Sequence, residues 1–141
     1  MKILFCGDRN WTDTNLIEQV FDMLVKEFGS FEVIQGEARG ADTLCKQEAE
    51  KRGFVVHSFP ADWVKYRKAA GPIRNGQMLK EGKPDLIIAF HPNLAESKGT
   101  RDMVYQSTKA GVPVRVFGIK EPLHSQPAFL SKEMFSVPAD S

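Results

Sequence analysis

The chain reads as an α/β protein: a Rossmann-like, mostly parallel five-stranded sheet with helices on both faces, in a single domain. Three observations carry that expectation. Apolar strand candidates alternate with helix candidates along residues 1–118. The returns from helix to strand are short, which suits parallel strands joined by right-handed crossovers. Leu86-Ile87-Ile88-Ala89-Phe90 is a continuous apolar run, as expected of a strand covered on both faces.

The elements follow in order. Lys2 to Cys6 is a strand ended by Gly7. Thr12 or Asp13 can cap a first helix whose Leu16, Ile17, Val20, Leu24 and Phe28 fall on one face. Gly29 ends it. Phe31 to Ile34 is strand two, closed by Gly36. Gly40 to Arg52 is helix two, with Lys51 and Arg52 in its last turn and Gly53 beyond. Phe54 to Phe59 is strand three, and Pro60 to Gly71 is a longer connection. Pro72 fits the first position of helix three, which stops at Gly82. Asp85 to Phe90 is strand four, and His91 to Lys98 is irregular. Helix four starts at Gly99 or Thr100 and ends at Gly111. Val112 to Phe117 is strand five, and its proline at 113 places it at an edge. Residues 119–141 form an extension rich in proline and serine that also carries Leu123, Phe129, Leu130, Met134 and Phe135. A solvated tail has fewer apolar residues, so this one is expected to dock on its own domain or on a neighbour.

Composition narrows the function. The 141 residues hold 42% hydrophobic and 26% charged side chains, ordinary for a globular domain. Nineteen Lys and Arg against eighteen Asp and Glu give a net charge of +1, which argues against a protein that coats nucleic acid. Cys6 and Cys45 fall on apolar positions and read as buried thiols. No cysteine–histidine spacing suits zinc, so no metal is expected. No run is long enough to span a bilayer, and the N-terminus reads as a strand. The expected location is the cytoplasm.

Open parallel sheets bind ligands beyond the carboxyl ends of their strands. Four segments project there: Gly7 to Trp11, Gly36 to Asp42, Pro60 to Trp63, and Ser97 to Thr100. Three of them carry glycine and a cation. Glycine lets backbone approach a ligand closely, and arginine presents a fork of donors matched to phosphate. Gly99 and Thr100 open a helix whose first amides lack partners, a place suited to an anion. The expected ligand is therefore a phosphate-bearing nucleotide. Its candidate contacts are Gly7, Arg9, Trp11, Gly36, Arg39, Gly40, Asp42, Trp63, Arg74, Asn75, Gly99 and Thr100. Several have plainer readings. Arg9, Arg39 and Arg74 can be solvated, Asp42 can complement a helix dipole instead of binding ribose, Trp63 can roof the core instead of stacking on a base, and Thr100 can be an N-cap. Gly82-Lys83-Pro84 is no P-loop, because the upstream glycine spacing is missing and a strand follows. No Ser–His–acid or Cys–His set stands out, and no cofactor is implied. Any of Asp8, Glu37, Asp42, Asp62 and Asp102 can serve as a general base, but spacing shows no matched pair.

Five segments in register carry a resemblance: Gly7-Asp8-Arg9-Asn10-Trp11-Thr12-Asp13, Gly36-Glu37-Ala38-Arg39-Gly40-Ala41-Asp42, Phe59-Pro60-Ala61-Asp62-Trp63, Gly71-Pro72-Ile73-Arg74-Asn75, and Gly99-Thr100 with Met103-Val104. Together they resemble the YspA-type (YpsA-related) branch of the SLOG superfamily over residues 1–118. The resemblance implies a Rossmann-like sheet that binds nucleotides or nucleotide-derived ligands, in proteins that are often homo-oligomers. Two better-understood relatives suggest different activities. Lonely-guy phosphoribohydrolases cleave nucleoside monophosphates. Arg74 and Gly99-Thr100 are similar to residues of their motif, but Met103 stands where that motif has a glutamate. The DNA-processing protein A family has a segment similar to Gly36–Asp42 that takes part in single-stranded DNA binding. The favoured expectation is a sensor or sequestering protein for a nucleotide signal. The alternatives are an N-glycosidic hydrolase, with Asp102 or Asp42 in place of the glutamate, and a single-strand DNA binder.

Overall fold

The computed structural model describes residues 1–120, so the extension expected at 119–141 lies almost wholly outside the described residues. The strands are β1 (Lys2–Gly7), β2 (Glu32–Gln35), β3 (Val56–Ser58), β4 (Leu86–Phe90) and β5 (Val114–Phe117). They form one parallel sheet in the order β3-β2-β1-β4-β5, which leaves β5 at an edge as its proline predicts. The chain winds outward one way from β1 and the other way from β4. The neighbouring carboxyl ends of β1 and β4, where Gly7 pairs with Phe90, are thus the topological switch point.

The helices are α1 (Thr14–Phe28), α2 (Ala41–Lys51), α3 (Trp63–Tyr66), α4 (Ala70–Gly82) and α5 (Gly99–Lys109). Alternation along the strands divides the core in two. Ile3, Phe5, Leu86, Ile88 and Phe90 pack with Ile17, Phe21 and Leu24 of α1 and with Cys45 of α2. Leu4, Cys6, Ile87 and Ala89 pack with Met78 of α4 and with Met103 and Val104 of α5. Every residue of β4 is buried, as its unbroken apolar run requires. Cys6 and Cys45 are buried free thiols, and burial pushes both thiol pKa values up.

The helix ends show where local signals were overridden. Asp13 caps α1 by accepting from the Leu16 amide, and Gly29 follows as expected. The span 60–71, expected as a longer connection, is partly helical. It holds the single turn α3, capped by Asp62, and a 3-10 turn at Arg67–Ala69 that runs into α4. Pro72 is the third residue of α4, not the first; a first-turn N–H has no intrahelical acceptor, so proline is tolerated there. Arg74 and Asn75 therefore lie beyond the first turn. Gly82 does not stop α4 as the left-handed residue; Lys83 does, at φ 50°. A Cβ on Gly82 would stand 2.9 Å from Ile34 Cδ1, so the glycine permits close packing of helix on strand.

Candidate functional site

The site is assembled from loops that grip one another at the carboxyl edge. After β1 the chain turns into the first loop, where the Asp8 amide donates to Phe90 O at 2.8 Å. A Cβ at Gly7 would collide with Phe90 O and lie 2.7 Å from Ala41 Cβ. The Asp8 carbonyl accepts from the amides of Trp11 and Ala41, which ties the first loop to the start of α2. Gly40 makes that junction possible: its φ of 76° favours glycine, and a side chain there would enter the Asp8–Arg9 backbone. The loops bearing Arg9 and Arg39 are thus pressed together. Both arginines are exposed, with no hydrogen-bond or ion-pair partner among the described residues.

Asp42 organises the second loop. It is 5% exposed, and its Oδ2 accepts from the amides of Gly36 (3.1 Å) and Ala38 (3.3 Å). Oδ1 has no hydrogen-bond partner among the described residues. Burial pushes the carboxyl pKa up to about 6, partly offset by Arg74 and the two amides. Glu37, at φ 59°, donates its amide to Gln35 Oε1 and pairs with Lys46 at 2.9 Å, which lowers its pKa.

Arg74 and Asn75 join this loop to α5. Arg74 Nη1 donates to Gly36 O and Nε to Asn75 Oδ1, leaving Nη2 without a hydrogen-bond partner among the described residues. Asn75 is buried and donates to Asp102 Oδ2 (2.9 Å) and Gly99 O (3.4 Å). Gln106 also donates to Asp102 Oδ2, at 2.7 Å, so that carboxylate is already held by two amides. Thr100 is not the N-cap of α5: it is 5% exposed, and its amide donates to Ser97 Oγ at 3.0 Å. The N-cap is Lys98, and Ser97 just before it supplies the hydroxyl that accepts from the first turn. Gly99 is open, with nothing within 4 Å of a Cβ built there.

Contacts therefore run unbroken from Gly7 through Gly40, Gly36, Arg74 and Asn75 to Gly99. The two tryptophans stand apart. Trp11 lies over the β4–β5 side, 5.7 Å from the Phe90 ring and against Gly118, with Nε1 donating to Asp13 O. Trp63 is 55% exposed on α3. A cavity of about 270 Å³ opens beside Arg74, lined also by Pro60, Asp62, Lys65, Tyr66, Ile73 and Gln77. Arg9, Arg39 and Gly99 do not line it. Sequence reasoning missed Tyr66, because a one-turn helix of four residues has no readable periodicity, and Gln77, which α4 carries to the cavity one turn beyond Arg74. His91, at the end of β4, has its pKa lowered by burial, and its Nδ1 accepts from the Asn93 amide. Among the described residues, no group of three or more His, Cys, Asp or Glu is placed to hold a metal, and no helix is long and apolar enough to cross a membrane.

Comparison with known proteins locates this architecture. The chain is 36% identical over 125 residues to the Gene 61 protein of Mycobacterium phage D29, a match spanning 84% of this chain and 98% of that protein. In structure it is similar to DNA processing protein A (DprA) from Streptococcus pneumoniae, with a TM-score of 0.65 at 17% identity, covering 82% of this chain and 50% of the other. It is also similar to MurG of Acinetobacter baumannii, with a TM-score of 0.53 at 9% identity, covering 82% of this chain and 34% of the other. The chain thus spans half of one solved structure and a third of the other; these likenesses show the Rossmann-like fold. The family YAcAr, described as the YspA, cpYpsA-related SLOG family, matches residues 1–66, from β1 to the end of α3, and the chain belongs to this family.

Proposed function

We propose that this protein binds a phosphate-bearing nucleotide or nucleotide-derived signal at the carboxyl edge of its sheet, as a sensor or sequestering protein. The observation that carries the reading is Arg74. Its guanidinium is anchored on Gly36 O and Asn75 Oδ1, borders the cavity, and keeps Nη2 uncommitted. An anchored fork with spare donors binds a phosphate with little further loss of side-chain freedom. The 270 Å³ cavity falls just below the ~300–1,000 Å³ usual for small-molecule sites. It accommodates one end of a nucleotide, with Tyr66 and Ile73 against the base and Asp42 Oδ1 within the loop that meets ribose. The rest of the ligand lies over the rim toward Gly99 and Thr100, with Arg9 and Arg39 adding charge from the open side. Membership of the SLOG family supports a nucleotide-derived ligand. Binding without turnover is supported by Met103, which is 1% exposed in the core under α5 and brings no carboxylate to the rim.

One observation favours a longer ligand as a second reading. Residues 62–69 are all exposed, and Trp63 and Tyr66 alternate there with Lys65, Arg67 and Lys68. Aromatic faces among cations suit single-stranded nucleic acid.

Incubation with a panel of nucleotides, followed by denaturation and mass spectrometry, separates the readings. Recovery of an unchanged nucleotide is the expected result. Free base with ribose phosphate identifies a hydrolase, and steeply salt-dependent binding of oligonucleotides alone identifies the second reading. If no nucleotide is retained, the proposal fails.

A further inference from the structure

We infer that the site takes up its anion together with a proton, and that the proton goes to Asp42. The inference deepens the reading above and rests on Arg74 as the phosphate ligand. It comes from the double hold on one residue. Gly36 gives its N–H to Asp42 Oδ2 and receives Arg74 Nη1 on its carbonyl. The buried carboxylate and the guanidinium therefore face each other across a single peptide residue. Asp42 has no side-chain hydrogen-bond partner among the described residues; its hydrogen bonds come from backbone amides, and Arg74 is the cation that sustains its charge.

An anion seated on Arg74 alters that balance in two ways. It places a second negative charge near a carboxylate that water scarcely reaches, and it shares the field of the guanidinium that favours ionisation. Both effects favour the neutral carboxylic acid. The balance is simple: anion and one proton enter, and Asp42 leaves as a carboxylic acid still accepting from the Gly36 and Ala38 amides through one oxygen.

The other groups around Asp42 do not take that proton. Glu37, in the same loop, pairs with Lys46 and is held below the usual carboxylate range. Cys6 from β1 and Cys45 from α2 face it as thiols kept neutral by burial, with Glu48 of α2 beyond them on Arg52. The basic residues of α2 are engaged elsewhere: Lys46 pairs with Glu37 and Lys51 with Glu48. Asp42, pushed up to about 6 in the free protein, is thus the group poised to change state near neutrality.

The consequence is read as affinity against pH. If the anion raises the Asp42 pKa by one further unit, affinity is about fivefold higher at pH 6 than at pH 8. Sulfate is the first probe, because it does not titrate in this range; the tightest nucleotide of the panel is the second. Isothermal calorimetry at pH 7 in two buffers of different ionisation enthalpy counts protons directly. The expected result is net proton uptake with wild-type protein and none with Asp42→Asn, which keeps an oxygen for both amides. Binding without uptake, or equal uptake by Asp42→Asn, overturns the inference and leaves the nucleotide reading standing. Failure of both probes to bind wild-type protein overturns both. Circular dichroism establishes that the variant is folded, and urea midpoints at pH 5 and pH 8 register its lost titration independently of any ligand.

Discussion

Asn75 Nδ2 donates to Asp102 Oδ2 at 2.9 Å and fastens α4 to α5 across one face of the sheet. The bond makes the candidate rim a single unit, because the same Asn75 accepts from Arg74 and donates to Gly99 O. It also occupies the carboxylate nearest the start of α5, which Gln106 engages as well.

Replacing buried Asn75 by Ala removes the acceptor of Arg74 Nε and one of the two amides on Asp102. The expected loss is about 1–3 kcal/mol of stability, seen as a lower urea midpoint. A double-mutant cycle with Asp102→Ala should show coupling of at least ~0.5 kcal/mol between the two positions. Additive losses would mean that the helices are held by packing alone.

Arg74→Ala should weaken nucleotide binding by at least about tenfold, since one charge-assisted bond is worth roughly 1.5–3 kcal/mol. Arg74→Lys should restore little of it, because an ammonium cannot hold Gly36 O and a phosphate in one planar fork. Calorimetric Kd values for the three proteins decide the matter; an unchanged value for the alanine variant removes Arg74 from the site.

Two glycines give opposite results with Ala. At Gly7 the added methyl meets Phe90 O and Ala41 Cβ, so the expected cost is about 1–3 kcal/mol or more, read by thermal unfolding. At Gly99 the methyl meets nothing within 4 Å, and a helical alanine is about 0.5–1 kcal/mol better than glycine. Gly99→Ala should therefore leave the fold intact or firmer while weakening nucleotide binding. Full retention of affinity would show that no ligand approaches that backbone closely.

Asp42 sets a pH dependence of stability. Its folded pKa of about 6 lies above the ordinary 3.8, so the native state binds the proton more tightly than the unfolded chain. The stabilisation linked to that proton is full below about 3.8 and is lost as pH rises through 6. Between pH 4.5 and pH 7.5 the wild type should lose about 2 kcal/mol relative to Asp42→Asn. Parallel urea titrations of the two proteins at both pH values measure that difference, and two curves that keep a constant separation would refute it.

The order of strands and helices, the burial of β4 on both faces and the edge position of β5 were legible in the residues, because periodicity, glycine stops and proline act over a few positions. The glycine–cation segments at strand ends were legible for the same reason. What could not be read was which of them meet. Arg74 lies 38 residues from Gly36, and their bond exists because α4 crosses back over β2. Asp42 looks like an ordinary first-turn acid until the loop folds over it and removes it from water. Tyr66 enters the cavity on a helix of four residues, too short to show a period, while Trp11 packs against Phe90, Trp63 stands exposed on α3, and neither lines that cavity. Local chemistry in the chain determined the kind of groups present; tertiary structure decided their partners and burial, because both depend on contacts between residues far apart along the backbone.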